Sequence, residues 1–202
     1  MGALEHFDVR ALRREYGLTQ FVETGTGLGL SAFHATQAGF DPVFTIECDR
    51  PTAAAARRKL AGTNAVILEG YSIDVLRDLR HTMAQVPTLW WLDAHFPGSA
   101  ISGRITVGDS GPEIMPLERE VRLLGKLPGI ARDVVLIDDL RLYERHAFAH
   151  GDMGPAWQLR GIGFIEEAFG ATHAIARDLA DEGYLICTPR GGSNGQAIPR
   201  DS

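Results

Sequence analysis

Two groups of residues carry the chemistry of this 202-residue chain. The first is Glu23-Thr24-Gly25-Thr26-Gly27-Leu28-Gly29, with three glycines at alternate positions and an acid ahead of them. Glycines permit positive φ and let backbone approach a ligand closely. A helix opening just after them offers free N–H groups and the positive end of its dipole. The spacing departs from the Gly-x-Gly-x-x-Gly dinucleotide pattern, and no Gly-Lys-Ser/Thr of a phosphate loop follows. Glu23 disfavours a pyrophosphate at this point and favours a cationic or amine-bearing ligand. The competing reading is a tight turn that binds nothing. Glu47 stands 18 residues after Gly29. A carboxylate there can accept both hydroxyls of a ribose. Its alternative is a surface carboxylate beside Arg50, and Asp49 competes for the same role.

The second group is Asp93, Asp138 and Asp139, with His95 two residues after Asp93. Carboxylates buried together are costly, because like charges raise each other's pKa. A divalent cation offsets that cost, and Mg²⁺ favours carboxylate and water oxygens. No Cys/His cluster has zinc-ligand spacing. His95 can take a hydroxyl proton; ligating the cation and hydrogen-bonding the loop are its other roles. Read without a ligand, Asp93 is a strand-end cap, and Asp138 is a helix cap or the partner of Arg141.

These residues need elements to hold them on one edge. Short apolar runs alternate with amphipathic ones, which predicts β-α-β units and a parallel sheet. Residues 6–16 have helical spacing, and Gly17 stops them. Strands are expected at 20–23, 43–47, 65–68, 88–93 and 133–138. Helices are expected at 31–37, 51–61, 72–83, 116–124 and 162–169, with Pro51 suited to a first helical turn. Residues 171–176 and 184–188 read as a hairpin turning around Asp181-Glu182-Gly183. The expected fold is therefore α/β, a doubly wound, mainly parallel seven-stranded sheet with a C-terminal antiparallel hairpin. It spans 1–190 as one domain. Residues 94–112, rich in Gly and Pro, form a lid or specificity loop carrying Arg104 and Asp109, with Glu113 just beyond it. Trp90-Trp91 reads as buried strand and Trp157 as a weak candidate for a substrate wall. Residues 191–202 read as a loose tail.

Composition narrows the function. With 45% hydrophobic and 23% charged residues the chain is ordinary globular protein. Its net charge of −6 gives no basic surplus for a nucleic-acid partner. Its two cysteines, Cys48 and Cys187, read as buried free thiols rather than a disulfide framework. No run approaches the roughly 18–20 apolar residues of a membrane span. The start of the chain lacks a signal pattern, so the expected location is cytoplasmic.

The glycine loop with its leading acid, Glu23-x-Gly25-x-Gly27-x-Gly29, resembles motif I of class I S-adenosylmethionine-dependent methyltransferases. The order of elements agrees over residues 15–190, terminal hairpin included. The resemblance implies a Rossmann-like methyltransferase fold and S-adenosylmethionine as cofactor. Glu23 would then meet the cofactor's amino-acid end, and Gly25, Thr26, Gly27 and Gly29 would pass beneath it. Glu47 would hold the ribose, and Gly70, Tyr71 and Ser72 would lie beside the adenine. Where similar enzymes often have Gly-Asp-Ser or Gly-Asp-Ala, this chain has Tyr71 in place of the acid, and Ser72 also reads as a helix cap.

Leu92-Asp93-Ala94-His95-Phe96 and Leu136-Ile137-Asp138-Asp139 resemble the metal-dependent O-methyltransferases, including those acting on catechols and macrolide sugars. That resemblance implies Asp93, Asp138 and Asp139 as ligands of Mg²⁺ or another divalent cation. Asp93 and His95 are the implied catalytic residues, and Asp93 is also a cofactor-binding one. The function expected is O-methylation of a hydroxylated small molecule, with no nucleic acid and no membrane as partner and a homodimer as the form of any assembly. Two rivals stand beside it. One is a non-catalytic cofactor-binding or scaffold domain of the same fold. The other is an NAD-dependent oxidoreductase, which the glycine spacing disfavours.

Overall fold

The computed structural model describes residues 3–83, 86–95, 115–151 and 161–191. Most of the lid at 94–112, together with Glu113, Trp157 and the tail from 192 on, lies outside the described residues.

The predicted leading helix is divided. A 3₁₀ turn at Leu4–His6 comes first, and α1 follows at Val9–Glu15. The break is local: Asp8 caps α1, its Oδ1 accepting from Ala11 N at 2.8 Å. Then come β1 (Gln20–Thr24), α2 (Leu30–Gln37), β2 (Val43–Glu47), α3 (Arg50–Lys59), β3 (Ala65–Glu69), α4 (Ser72–Met83) and β4 (Thr88–Leu92). Further on are α5 (Leu117–Leu124), β5 (Val134–Ile137), α6 (Gly163–Phe169), β6 (His173–Asp178) and β7 (Tyr184–Pro189). The fifth strand is shorter than expected. Asp133 stays outside it, because its carboxylate accepts from Thr88 N (3.1 Å) and Trp90 Nε1 (2.8 Å) and ties the start of β5 to β4.

The seven strands form one sheet in the order β3-β2-β1-β4-β5-β7-β6. The first five are parallel, and β7 runs antiparallel to both β5 and β6. Helices cover both faces, so β1, β4 and β5 are buried throughout, as central parallel strands must be. Alternation divides the core in two. Phe21, Leu89, Trp91 and Leu136 pack with Leu12, Ala32 and Leu60 on one face. Val22, Trp90, Leu92, Val135 and Ile137 pack with Leu76, Val121 and Ile165 on the other. Both tryptophans are fully buried, as expected. Cys187 is buried and Cys48 only partly so, which corrects the reading of Cys48 as a core thiol. It follows the last residue of β2, where the chain is already leaving the sheet. Among the described residues no helix is long and apolar enough to cross a membrane.

Candidate active site

The site lies where β1, β4 and β5 end together. Thr24 pairs with Leu92, and Leu92 with Ile137. Just beyond, Asp93 N donates to Thr24 O at 3.0 Å and Asp138 N donates to Leu92 O at 3.1 Å. The register therefore carries the glycine loop, Asp93 and Asp138-Asp139 to the same sheet edge. This is the carboxyl edge, where open α/β sheets bind ligands.

The loop after β1 needs its glycines. Gly25, Gly27 and Gly29 have φ of 84°, 50° and 74°. A Cβ on Gly25 would stand 2.5 Å from the Asp93 carbonyl oxygen, so only glycine lets the loop pass the end of β4 this closely. Gly25 N and Thr26 N both donate to Ile46 O. Glu47 fixes the far side: Oε2 accepts from Gly27 N at 3.1 Å and Oε1 from Asp49 N at 2.9 Å. The surface pair of Glu47 with Arg50 does not form. Arg50 instead lies 3.8 Å from Glu69. Asp49, the competitor of Glu47, is the N-cap of α3 and accepts from Thr52 N. Burial raises the Glu47 carboxyl above its ordinary value.

Glu23 is 1% exposed. Thr45 Oγ1 donates to its Oε2 at 2.6 Å, and Thr26 Oγ1 lies 2.6 Å from Thr45 Oγ1. This chain of hydroxyls joins β1, β2 and the loop. Burial pushes the Glu23 carboxyl up to about 8. Above the loop is a cleft of about 100 Å³, lined by Glu23, Gly25, Thr26, Gly27, Ser31 and Asp93. Ala3 and Glu5 from the N-terminal turn close it, and no sequence pattern announced them.

Next to the cleft, His95 bridges two acids. Its Nε2 is 2.8 Å from Asp139 Oδ2 and its Nδ1 3.4 Å from Asp93 Oδ1. Ligand atoms of Asp93, His95 and Asp139 all lie within 4.8 Å of one another. Asp139 reaches this place through a left-handed backbone (φ 54°), a conformation uncommon outside glycine. Arg141 pairs with Asp139 at 3.2 Å and with Glu182 at 3.4 Å, so the predicted Asp138–Arg141 alternative is not what forms. Asp138 stands outside the bridged trio. It is 3% exposed, and neither carboxylate oxygen has a hydrogen-bond partner among the described residues.

The electrostatics are those of crowded acids. Burial first, and then Asp138 and Asp139, drive the Asp93 carboxyl well above its ordinary value. Burial and the neighbouring Asp139 push Asp138 up to about 7. Burial works against a charged His95, but the Asp139 hydrogen bond and the Asp139 and Asp138 charges outweigh it and raise the imidazole pKa. Asp139 is held low because His95 and Arg141 outweigh its burial.

Gly70 and Tyr71 lead into α4, and the Tyr71 ring is 48% exposed. Ser72 is the buried first residue of α4, and its hydroxyl works against the burial that raises the Glu120 carboxyl. Glu120 is the residue the sequence reading missed. It is 0% exposed on α5, with Thr24 Oγ1 donating to its Oε2 at 3.4 Å. Its Oε1 has no hydrogen-bond partner among the described residues, and burial pushes its carboxyl to about 7. A signal existed: Glu120 falls among Leu117, Val121 and Leu124, in the apolar stripe of an amphipathic helix.

Compared by sequence, the chain matches no family model and no curated protein. Compared by structure, it is similar to an O-methyltransferase from Bacillus cereus in complex with SAH, with a TM-score of 0.61 and 16% identity over 90% of this chain and 79% of that one. It is also similar to the O-methyltransferase TomG from Streptomyces achromogenes, involved in tomaymycin synthesis and solved with SAM. Here the TM-score is 0.59 and the identity 20%, over 91% of this chain and 78% of that one. An SAM-dependent methyltransferase from Aquifex aeolicus aligns at a TM-score of 0.51 and 14% identity, over 91% and 89% of the two chains. With this strand order, its antiparallel end and these likenesses, the chain has the Rossmann-like fold of the class I S-adenosylmethionine-dependent methyltransferases.

Proposed function

We propose that the chain is an S-adenosylmethionine-dependent methyltransferase that methylates an oxygen of a hydroxylated small molecule beside a divalent cation. The observation that carries this reading is the double placement of Asp93. It lines the cleft over the glycine loop and also belongs to the group with His95 and Asp139. A methyl donor held over the loop would thus end beside the acids.

The residues divide the work. Gly25, Thr26, Gly27 and Gly29 shape the floor of the cofactor cleft. Glu23 and Asp93 face its amino-acid end, Glu47 its ribose hydroxyls, and Gly70, Tyr71 and Ser72 its adenine. S-Adenosylmethionine supplies an electrophilic methyl on a sulfonium, so transfer needs chiefly an aligned, deprotonated oxygen. His95 is positioned to accept that proton.

The residues present fit a divalent cation. Asp93 and Asp139 offer oxygens at close range, and Asp138 brings buried carboxylate oxygens that nothing described satisfies. A hard cation suits such a set. Bound there, it would lower the pKa of an acceptor hydroxyl and orient it. One observation favours a cation-independent variant of the same reaction: His95 already bridges Asp93 and Asp139, in the place a cation would take.

The test is a thermal-shift titration with S-adenosylhomocysteine, followed by turnover on a panel of vicinal diols and phenols with Mg²⁺ and after chelation. Cofactor stabilisation and Mg²⁺-dependent methylation are expected. Turnover that survives chelation selects the His95 variant. Cofactor binding without turnover on any acceptor selects a non-catalytic domain, and no stabilisation at millimolar cofactor overturns the proposal.

A further inference from the structure

We infer that the N-terminal turn is part of the cofactor site and that Glu5 on it pairs with the ammonium group of the cofactor's amino-acid end. The inference rests on reading the cleft as a site for S-adenosylmethionine.

The turn is not a loose end. Leu4 within it and Phe7 just after it are buried, and Phe7 packs edge-on against Trp91. Ala3 N donates to Tyr184 Oη at 3.2 Å, and Tyr184 Oη donates to Asp181 Oδ2 at 2.7 Å. His6 stacks on the Tyr184 ring with centroids 4.9 Å apart, and its Nε2 lies 2.9 Å from Asp178 Oδ2. The β6–β7 hairpin therefore latches the segment to this edge of the sheet. Glu5 sits between the anchored Leu4 and His6. The latch leaves it exposed at the mouth of the cleft.

Glu5 has a reason to be there only if something positive faces it. The described lining of the cleft holds three carboxylates, Glu5, Glu23 and Asp93, and no basic side chain. No hydrogen bond or ion pair to the Glu5 carboxylate is present among the described residues. Burial holds the Glu23 carboxyl up, and the nearby charge of Glu5 adds to that. A ligand carrying an ammonium group gives Glu5 an opposite charge to face. Glu23 is tied up from below by Thr45, so Glu5 is the acid free to close on the ammonium from above.

The experiment uses the whole chain and two ligands measured by calorimetric titration. S-Adenosylhomocysteine carries the amino-acid end; 5′-methylthioadenosine is the same nucleoside without it. In Glu5→Gln, affinity for S-adenosylhomocysteine should fall about tenfold, the size of one charge-assisted hydrogen bond, and affinity for methylthioadenosine should stay as in wild type. Unchanged affinity for S-adenosylhomocysteine overturns the inference. An equal loss for both ligands also overturns it, because it shows a structural effect. Wild-type protein that binds neither ligand brings down the cofactor reading itself, a failure seen before any substitution is made.

Discussion

Glu47, the last residue of β2, accepts a hydrogen bond from Gly27 N at 3.1 Å across 20 residues of sequence. One carboxylate thus sets the glycine loop, and in the proposed cofactor site it would meet the ribose. Glu47→Ala should lower affinity for S-adenosylhomocysteine by at least about tenfold, the loss expected when a charge-assisted contact goes. Titration calorimetry checks this. A variant that binds as wild type does would remove Glu47 from the site.

Gly25 is where the loop passes the end of β4. Gly25→Ala puts a Cβ against the Asp93 carbonyl at a φ of 84°. Destabilisation of about 2 kcal/mol or more is expected, together with loss of cofactor binding. Urea unfolding gives the first and thermal shift with cofactor the second. A stable, binding-competent variant would mean that the loop is not held as described.

The acids after β4 and β5 make a metal prediction. Mg²⁺ or Mn²⁺ should raise the melting temperature by mass action on the folded state, and EDTA should reverse the gain. In Asp139→Ala the gain should vanish, while stabilisation by S-adenosylhomocysteine persists. Equal responses of the variant and the wild type to Mn²⁺ would place the cation elsewhere.

Glu120 gives a pH dependence with a definite sign. Burial lifts its folded carboxyl to about 7, against about 4.3 in an unfolded chain. The folded state binds the proton more tightly, so the stabilisation is complete below about pH 4.3 and is lost as pH rises through about 7. Glu120→Gln mimics the protonated acid and removes this slope. Relative to wild type, the variant should gain on the order of 3 kcal/mol between pH 4 and pH 8. Denaturant midpoints at the two pH values measure it, and parallel curves would show Glu120 ionised in the fold.

Much was legible in the chain itself. The glycine spacing after an apolar run, the acid ending the second run and the acids ending the fourth and fifth are local facts, because strand and helix periods are written in consecutive residues. They predicted seven strands, the hairpin and the edge on which Glu23, Glu47, Asp93 and Asp138-Asp139 meet. What only the tertiary structure decided depends on residues far apart in sequence. His95 chooses Asp139 as its partner, and Arg141 takes Asp139 and Glu182 instead of Asp138. Thr24 at the end of β1 finds Glu120 on α5, and Glu5 reaches the cleft only because Tyr184 and Asp178 hold the turn beside it. A short-range pattern fixes which edge a side chain occupies. Its partner is set by the crossing of helices and the tilt of strands over the whole sheet, where burial makes each acid's choice of partner matter most.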